Sequence, residues 1–299
     1  MLATSLLQTI HTSSARLEQA GVSFGHGTHT AFDEAAWLVL WALGLPLDDL
    51  DSVAEQPLSP AQAAAVDALI TRRIDSRKPA AYLTGEAWLQ GVPFTVDERC
   101  IIPRSLIAEV LADGTLDSWV LPPDDGGTSP RVLDLCTGNG SLAVLAAMAW
   151  PHAEVDATDI SADALDVARL NRQRHELDTR IRLLQGDGLS AAQGLYDLIL
   201  CNPPYVNSRS MQALPPEYRA EPALALAGGD DGMDFIRPLL QQAAHHLKPS
   251  AALVLEIGHE RPFLDAAFPR LEGLWLHTQT TEDQVLLLTR EALAAGLTR

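Results

Sequence analysis

Residues 202–205 read Asn-Pro-Pro-Tyr and follow directly on the apolar run YDLILC at 196–201. Proline has no N–H for a sheet ladder and a fixed φ, so a strand reaching this point must stop in a rigid corner. There the Asn202 side chain offers a carbonyl oxygen and Pro203 offers its backbone carbonyl. Two acceptors side by side match the two N–H groups of a planar primary amide or exocyclic amine, and the Tyr205 ring can lie against such a flat group. An amide nitrogen is a poor nucleophile because its lone pair is delocalised, so a site that alkylates it must orient it and stabilise the charge it develops. Paired acceptors do both, and they hold the nitrogen more strongly as it becomes cationic. Asn202, Pro203 and Tyr205 are the candidate catalytic residues.

A second pattern is DLCTGNG at 134–140, where Gly138 and Gly140 would let backbone approach a nucleotide-type ligand closely. Gly138, Gly140 and Ala143 also fit the spacing of a dinucleotide-binding turn. Asp159 follows the run EVDAT and can accept both hydroxyls of a ribose, although it also stands where a carboxylate favours the start of the next helix. On these residues alone NAD and S-adenosylmethionine fit equally well. The acceptor pair breaks the tie, because hydride transfer leaves it without a task. Metal chemistry has no support: the nine histidines lack ligand spacing, and His245 and His246 are adjacent. Cys100, Cys136 and Cys201 are far apart on apolar segments, which reads as small buried thiols.

These residues need elements to hold them. From 131 onward strand-like and helix-like runs alternate, the signature of a parallel sheet covered on both faces. The expected strands are 131–135, 154–158, 180–184, 196–201 and 251–257, with helices at 141–149, 162–174 and 235–247. Two late strands at 274–278 and 285–288 have no helix between them and should be antiparallel. Ahead of the sheet, 1–78 reads as helices, with Ser59 and Pro60 opening one of them and Trp37 and Trp41 expected in a small helical core. Residues 79–100 hold Gly85 and Gly91 between β-prone runs and read as a hairpin connector, and LPPDDGGTSP at 121–130 reads as a surface loop.

The chain has 299 residues and is 47% hydrophobic, enough for a large domain plus a small one. It opens without a basic segment and a continuous apolar stretch, and no run approaches a membrane span, so a cytoplasmic protein is expected. Its net charge of −18 argues against a protein whose main task is gripping free nucleic acid, and suits a basic protein partner.

With these motifs in place the chain resembles the seven-stranded, Rossmann-like class I methyltransferases that use S-adenosylmethionine to modify glutamine amides. AYLTGEAW, VDERCIIPRS, LIAEV and NPPYVNSRSMQALPPEYRAEPALALAGGDDGMDF are similar to the branch acting on glutamine in the third large-subunit ribosomal protein, a sister of the branch acting on peptide-chain release factors. The likeness runs from about 78 to the C-terminus and more loosely over the helical N-terminal region. It implies an α/β fold with a helical substrate-recognition domain at 1–78 and a methyltransferase domain at 101–299. It further implies that Asp134, Thr137, Gly138 and Gly140 form the cofactor loop, Asp159 holds the ribose, Asp187 lies beside the adenine, and Asn202 meets both cofactor and amide. The implied partner is the ribosomal protein, free or in an assembling particle. Two positions depart from the family pattern: Cys136 replaces a glycine, and Gly188 stands where the release-factor branch often has a tryptophan. Arg104 and Glu221 fall in segments the family keeps near its site. Four alternatives remain open: a release-factor substrate, a nucleic-acid amino-group methyltransferase, a NAD oxidoreductase, and an assembly factor that binds S-adenosylmethionine without catalysis.

Overall fold

The computed structural model describes residues 4–123 and 127–296. Asp124, Asp125 and Gly126 of the expected loop lie outside the described residues, and its flanks are irregular and largely exposed.

Helices α1 (Leu6–Gln19), α2 (Ala31–Leu43), α3 (Leu50–Val53), α4 (Pro60–Ser76) and α5 (Ala80–Thr84) come first. Their starts follow capping chemistry. Thr30 accepts from the Asp33 N–H at 3.1 Å, and Ser59 and Gln62 form a reciprocal capping box with Pro60 at the first helical position. Leu6, Ile10 and Leu17 of α1 pack on Ala35, Leu38 and Val39 of α2 and on Val66 and Ile70 of α4. The tryptophan pair divides. Trp37 is half-buried against this core, but Trp41 is 39% exposed, because the inward stripe of α2 is carried by its alanines and aliphatics.

Strands β1 (Glu86–Leu89) and β2 (Val92–Thr95) form the expected hairpin, turning through Gln90 and Gly91 at φ 50° and 73°, a two-residue primed turn. After α6 (Ile107–Ala112) the chain alternates through β3 (Arg131–Leu135), α7 (Ser141–Ala149), β4 (Glu154–Asp159), α8 (Ala162–Arg174), β5 (Ile181–Gln185) and β6 (Tyr196–Cys201). It continues with α9 (Ser208–Ala213), α10 (Ile236–Ala243), β7 (Leu247–Glu256), α11 (Arg261–Ala267), β8 (Leu274–Leu276), β9 (Val285–Thr289) and α12 (Arg290–Gly296).

The large sheet has the order β5-β4-β3-β6-β7-β9-β8, with β9 antiparallel to both neighbours and the other pairings parallel. Strand order reverses between β3 and β6, the place where open α/β sheets bind ligands. Alternating residues bury both faces: Val132, Val155 and Leu200 pack on α6 and α7, while Leu133, Ile199 and Leu253 pack on α10 and α12. Asn171 of α8 fastens the hairpin to this body. Its side chain accepts from Thr95 N–H at 2.7 Å and donates to the carbonyls of Thr95 and Asn139 at 2.9 Å.

Candidate active site

A cleft of about 890 Å³ opens at the switch point, lined by the carboxyl ends of β3, β4, β6 and β7. Its size suits a nucleoside-sized ligand with a side chain beside it. Asn202 ends β6 half-buried in this cleft, followed by Pro203, Pro204 and Tyr205 on its wall. No described residue engages the Asn202 amide or the Pro203 carbonyl, so both acceptors are free for a guest. The Tyr205 hydroxyl donates to Glu256 Oε1 at 3.2 Å.

The loop expected to hold the cofactor leaves β3 through a run of left-handed backbone, with φ of 61° at Cys136, 54° at Gly138 and 82° at Gly140. For a residue with a Cβ this conformation is disfavoured by roughly 1–2 kcal/mol, which Cys136 bears where the family pattern often has glycine. Asp134 and Thr137 do not line the cleft. They lie under the loop: Asp134 is 1% exposed and accepts from the Thr137 hydroxyl and, at 2.9 Å, from Ala143 N–H at the start of α7. Burial pushes the Asp134 carboxyl up to about 7, and its second oxygen has no partner among the described residues. Gly138 lines the cleft. Gly140 instead serves packing, since a Cβ there would stand 3.1 Å from that of Ala168 on α8.

Asp159 sits where the sequence places it, on the cleft wall at the end of β4. Its oxygens accept from Gly138 N–H and Ser161 N–H, each at 2.9 Å. It therefore ties the loop to the start of α8, while Ser161 itself provides the helix cap. Each carboxylate oxygen keeps a lone pair for a ribose hydroxyl. Burial raises its pKa against those hydrogen bonds. Asp187 follows β5 and also lines the cleft. Beside it, Phe235 fills the space left by Gly188, with a ring carbon 3.8 Å from where a side chain would begin. The aromatic surface missing at Gly188 is supplied from the GMDF segment.

Arg104 and Glu221 form a bidentate pair at 2.6 and 2.8 Å, and Glu221 also accepts from Ile102 N–H at 3.0 Å. Burial alone would raise Glu221, but the His26 imidazole and the Arg104 charge bring it down to about 2. Arg104 lines the cleft, and the buried Glu221 behind it holds its guanidinium. Sequence reasoning missed three contributors. Glu256 lines the cleft, and its signal was an ionisable residue inside the apolar run AALVLEI. Phe235 carried no pattern of its own. Val22, Ser23 and Phe24 reach the cleft from the N-terminal helical region, and their loop has no feature that marks it. Among the described residues no cluster could hold a metal ion.

Residues 120–214 match the family model described as methyltransferase small domain, and residues 8–85 match the PrmC N-terminal domain. The hMettl16 catalytic domain in complex with a MAT2A 3′UTR hairpin shares the fold, with a TM-score of 0.50 at 13% identity over 77% of this chain and 81% of that one. Sheet order, glycine loop and acceptor corner together define a methyltransferase of the S-adenosylmethionine-dependent kind. The ribosomal protein uL3 glutamine methyltransferase of Bordetella pertussis is 52% identical over 97% of this chain and 96% of its own. Those of Burkholderia pseudomallei and Neisseria meningitidis serogroup B are 50% and 46% identical, covering 94% and 97% of this chain and 93% and 94% of their own. The chain belongs to the ribosomal protein uL3 glutamine methyltransferase family.

Proposed function

We propose that the protein transfers a methyl group from S-adenosylmethionine to the side-chain amide nitrogen of a glutamine in ribosomal protein uL3. The observation that carries this is the pair of unengaged acceptors, Asn202 Oδ1 and the Pro203 carbonyl, beside Asp159 in one cleft. The cofactor supplies an electrophilic methyl on a sulfonium. Asp159, Gly138 and Asp187 would hold its nucleoside, with Phe235 beside them; Asp134, Thr137 and Gly140 set the shape of the loop; Asn202 stands between cofactor and amide. Asn202 and Pro203 accept the two amide N–H groups and turn the nitrogen's face toward the methyl. Tyr205 walls the amide plane. As the nitrogen becomes cationic the acceptors hold it more strongly, and its surplus proton passes to water after transfer.

The names of the relatives favour uL3 over a release factor. The charge of −18 supports a basic protein surface as the partner and disfavours free nucleic acid. We read the substrate as uL3 met in the cytoplasm, free or in an assembling particle; among the described residues no helix is long and apolar enough to cross a membrane. The test is Asn202→Ala. Loss of one oriented acceptor should slow transfer to uL3 by on the order of a hundredfold or more, with S-adenosylhomocysteine affinity nearly unchanged. Near-normal turnover would refute the clamp.

A further inference from the structure

Pro203 is stiff by its ring and narrows the backbone of Asn202 before it, but Tyr205 has a free χ1 and χ2, so something else must hold its ring. Three glycines surround it. A Cβ at Gly258 would fall 2.5 Å from Tyr205 Cε2, one at Gly228 would fall 2.8 Å from its Cα, and one at Gly232 would fall 2.3 Å from its carbonyl oxygen. No other residue type fits these positions with Tyr205 where it is. The glycines come from two separate segments, 228–232 and 258, so the close fit is not a local accident of one turn.

The remaining freedom lies in the ring itself, and among the described residues the group that hydrogen-bonds the phenol is Glu256. Its carboxylate ends β7 at 4% exposure on the cleft wall. One oxygen accepts from Tyr205 OH at 3.2 Å; the other accepts from Ser105 OH at 2.6 Å and Leu106 N–H at 2.9 Å. A buried carboxylate is unfavourable unless its lone pairs are used, and these donors use them. Ser105 and Leu106 thereby fix the carboxylate, which in turn fixes the ring.

We propose that Glu256 is the positioning residue of the amide clamp, holding the Tyr205 ring in the plane against which the substrate glutamine lies. This rests on the reading of Asn202, Pro203 and Tyr205 as that clamp. Glu256 does not touch the amide, and its effect passes through the phenol hydroxyl. Misplacing a wall of a near-attack site lowers the rate of the chemical step while cofactor binding, made elsewhere in the cleft, stays as it was.

The test is a double-mutant cycle on the full chain, reading kcat for methylation of uL3 and KM for S-adenosylmethionine. Glu256→Ala should lower kcat on the order of tenfold to a hundredfold with little change in KM. In a Tyr205→Phe background, which has no hydroxyl to hold, the same substitution should cause almost no further loss. Glu256→Gln can keep its one oxygen on Ser105 OH and Leu106 N–H and donate its amide N–H to the phenol oxygen, so it should restore most of the rate. Nuclear magnetic resonance of labelled tyrosine should show the Tyr205 ring flipping faster in Glu256→Ala than in the wild type. An equal fold-loss in both backgrounds, or an unchanged ring, overturns the proposal. If Glu256→Ala does not fold, the cycle is run with Glu256→Gln, whose smaller loss must likewise vanish beside Tyr205→Phe. The clamp reading fails separately, through full turnover by Asn202→Ala, whatever the cycle shows.

Discussion

Asp134 lies beneath the glycine loop rather than on the cleft wall. Its carboxyl is held near 7 by burial, far above the 3.8 of a free aspartate, so the folded state keeps the proton more tightly than the unfolded chain does. Between those two values the unfolded state binds fewer protons, and this group's contribution to stability falls as pH rises, reaching its floor above about 7. Asp134→Asn keeps an acceptor for Thr137 and Ala143 but cannot ionise. Its melting temperature, compared with wild type from pH 5 to pH 8, should therefore gain most at the alkaline end, and parallel curves would show that Asp134 carries no such strain. Sequence pattern located Asp134 but not its orientation, because a motif gives spacing along the chain and not which way a side chain turns. Cys136 is the complementary case. Its departure from glycine was visible in the sequence, and it adopts the left-handed φ of 61° that glycine would take there without strain.

At the scale of elements, periodicity read the sheet well because its central strands β3, β6 and β7 bury apolar residues on both faces. The strand at 196–201 matches β6 end to end. Misreadings cluster where two signals overlap. The pattern carries the expected helix to Leu247, but Leu247 is fully buried at the start of β7, which runs through Pro249 and Ser250 across a register shift against Tyr196 and Leu198. Residues 80–84 form a helical turn ahead of the hairpin. The hairpin itself was legible from its glycines, yet its anchor was not, since Asn171 is 76 residues from Thr95. Asn171→Ala would leave three backbone groups without partners, at about 1–3 kcal/mol for each that stays dry. We expect a lower melting temperature and also weaker S-adenosylhomocysteine binding, because one of the orphaned groups is the carbonyl of Asn139 in the cofactor loop. Calorimetry separates the two effects. Unchanged affinity in a destabilised protein would mean that the hairpin anchor does not help to shape the loop.

In the whole molecule the parts are joined through buried charge. Apolar periodicity describes 1–78 as a unit, and that reading makes it a separable recognition module. In the structure Arg73, fully buried on α4, donates to Glu34 of α2 at 2.8 Å and to Glu217 at 3.3 Å, and Arg77 Nε lies 2.7 Å from the same Glu217 oxygen. Glu217 also accepts from Ser23 N–H at 3.2 Å, in the loop that brings Val22 and Phe24 to the cleft. Burial would raise Glu217, but Arg77 and the backbone outweigh it and hold the carboxylate below its usual range. One buried carboxylate thus joins the helical region to the segment after the acceptor corner. The pairing spans 144 residues, out of reach of any local pattern. Removing one partner from a buried ion pair costs roughly 3–5 kcal/mol, because the other charges stay buried. We therefore predict that Glu217→Ala loosens both sides together: amide hydrogen exchange should rise in 21–28 and in 207–227, while the strands of the sheet keep their protection. Transfer to intact uL3 should fall more than transfer to a short glutamine peptide, since selectivity among chemically identical glutamines must come from contacts outside the clamp. Faster exchange on one side alone, or equal losses on protein and peptide, would show that the helical region and the cleft mouth act independently.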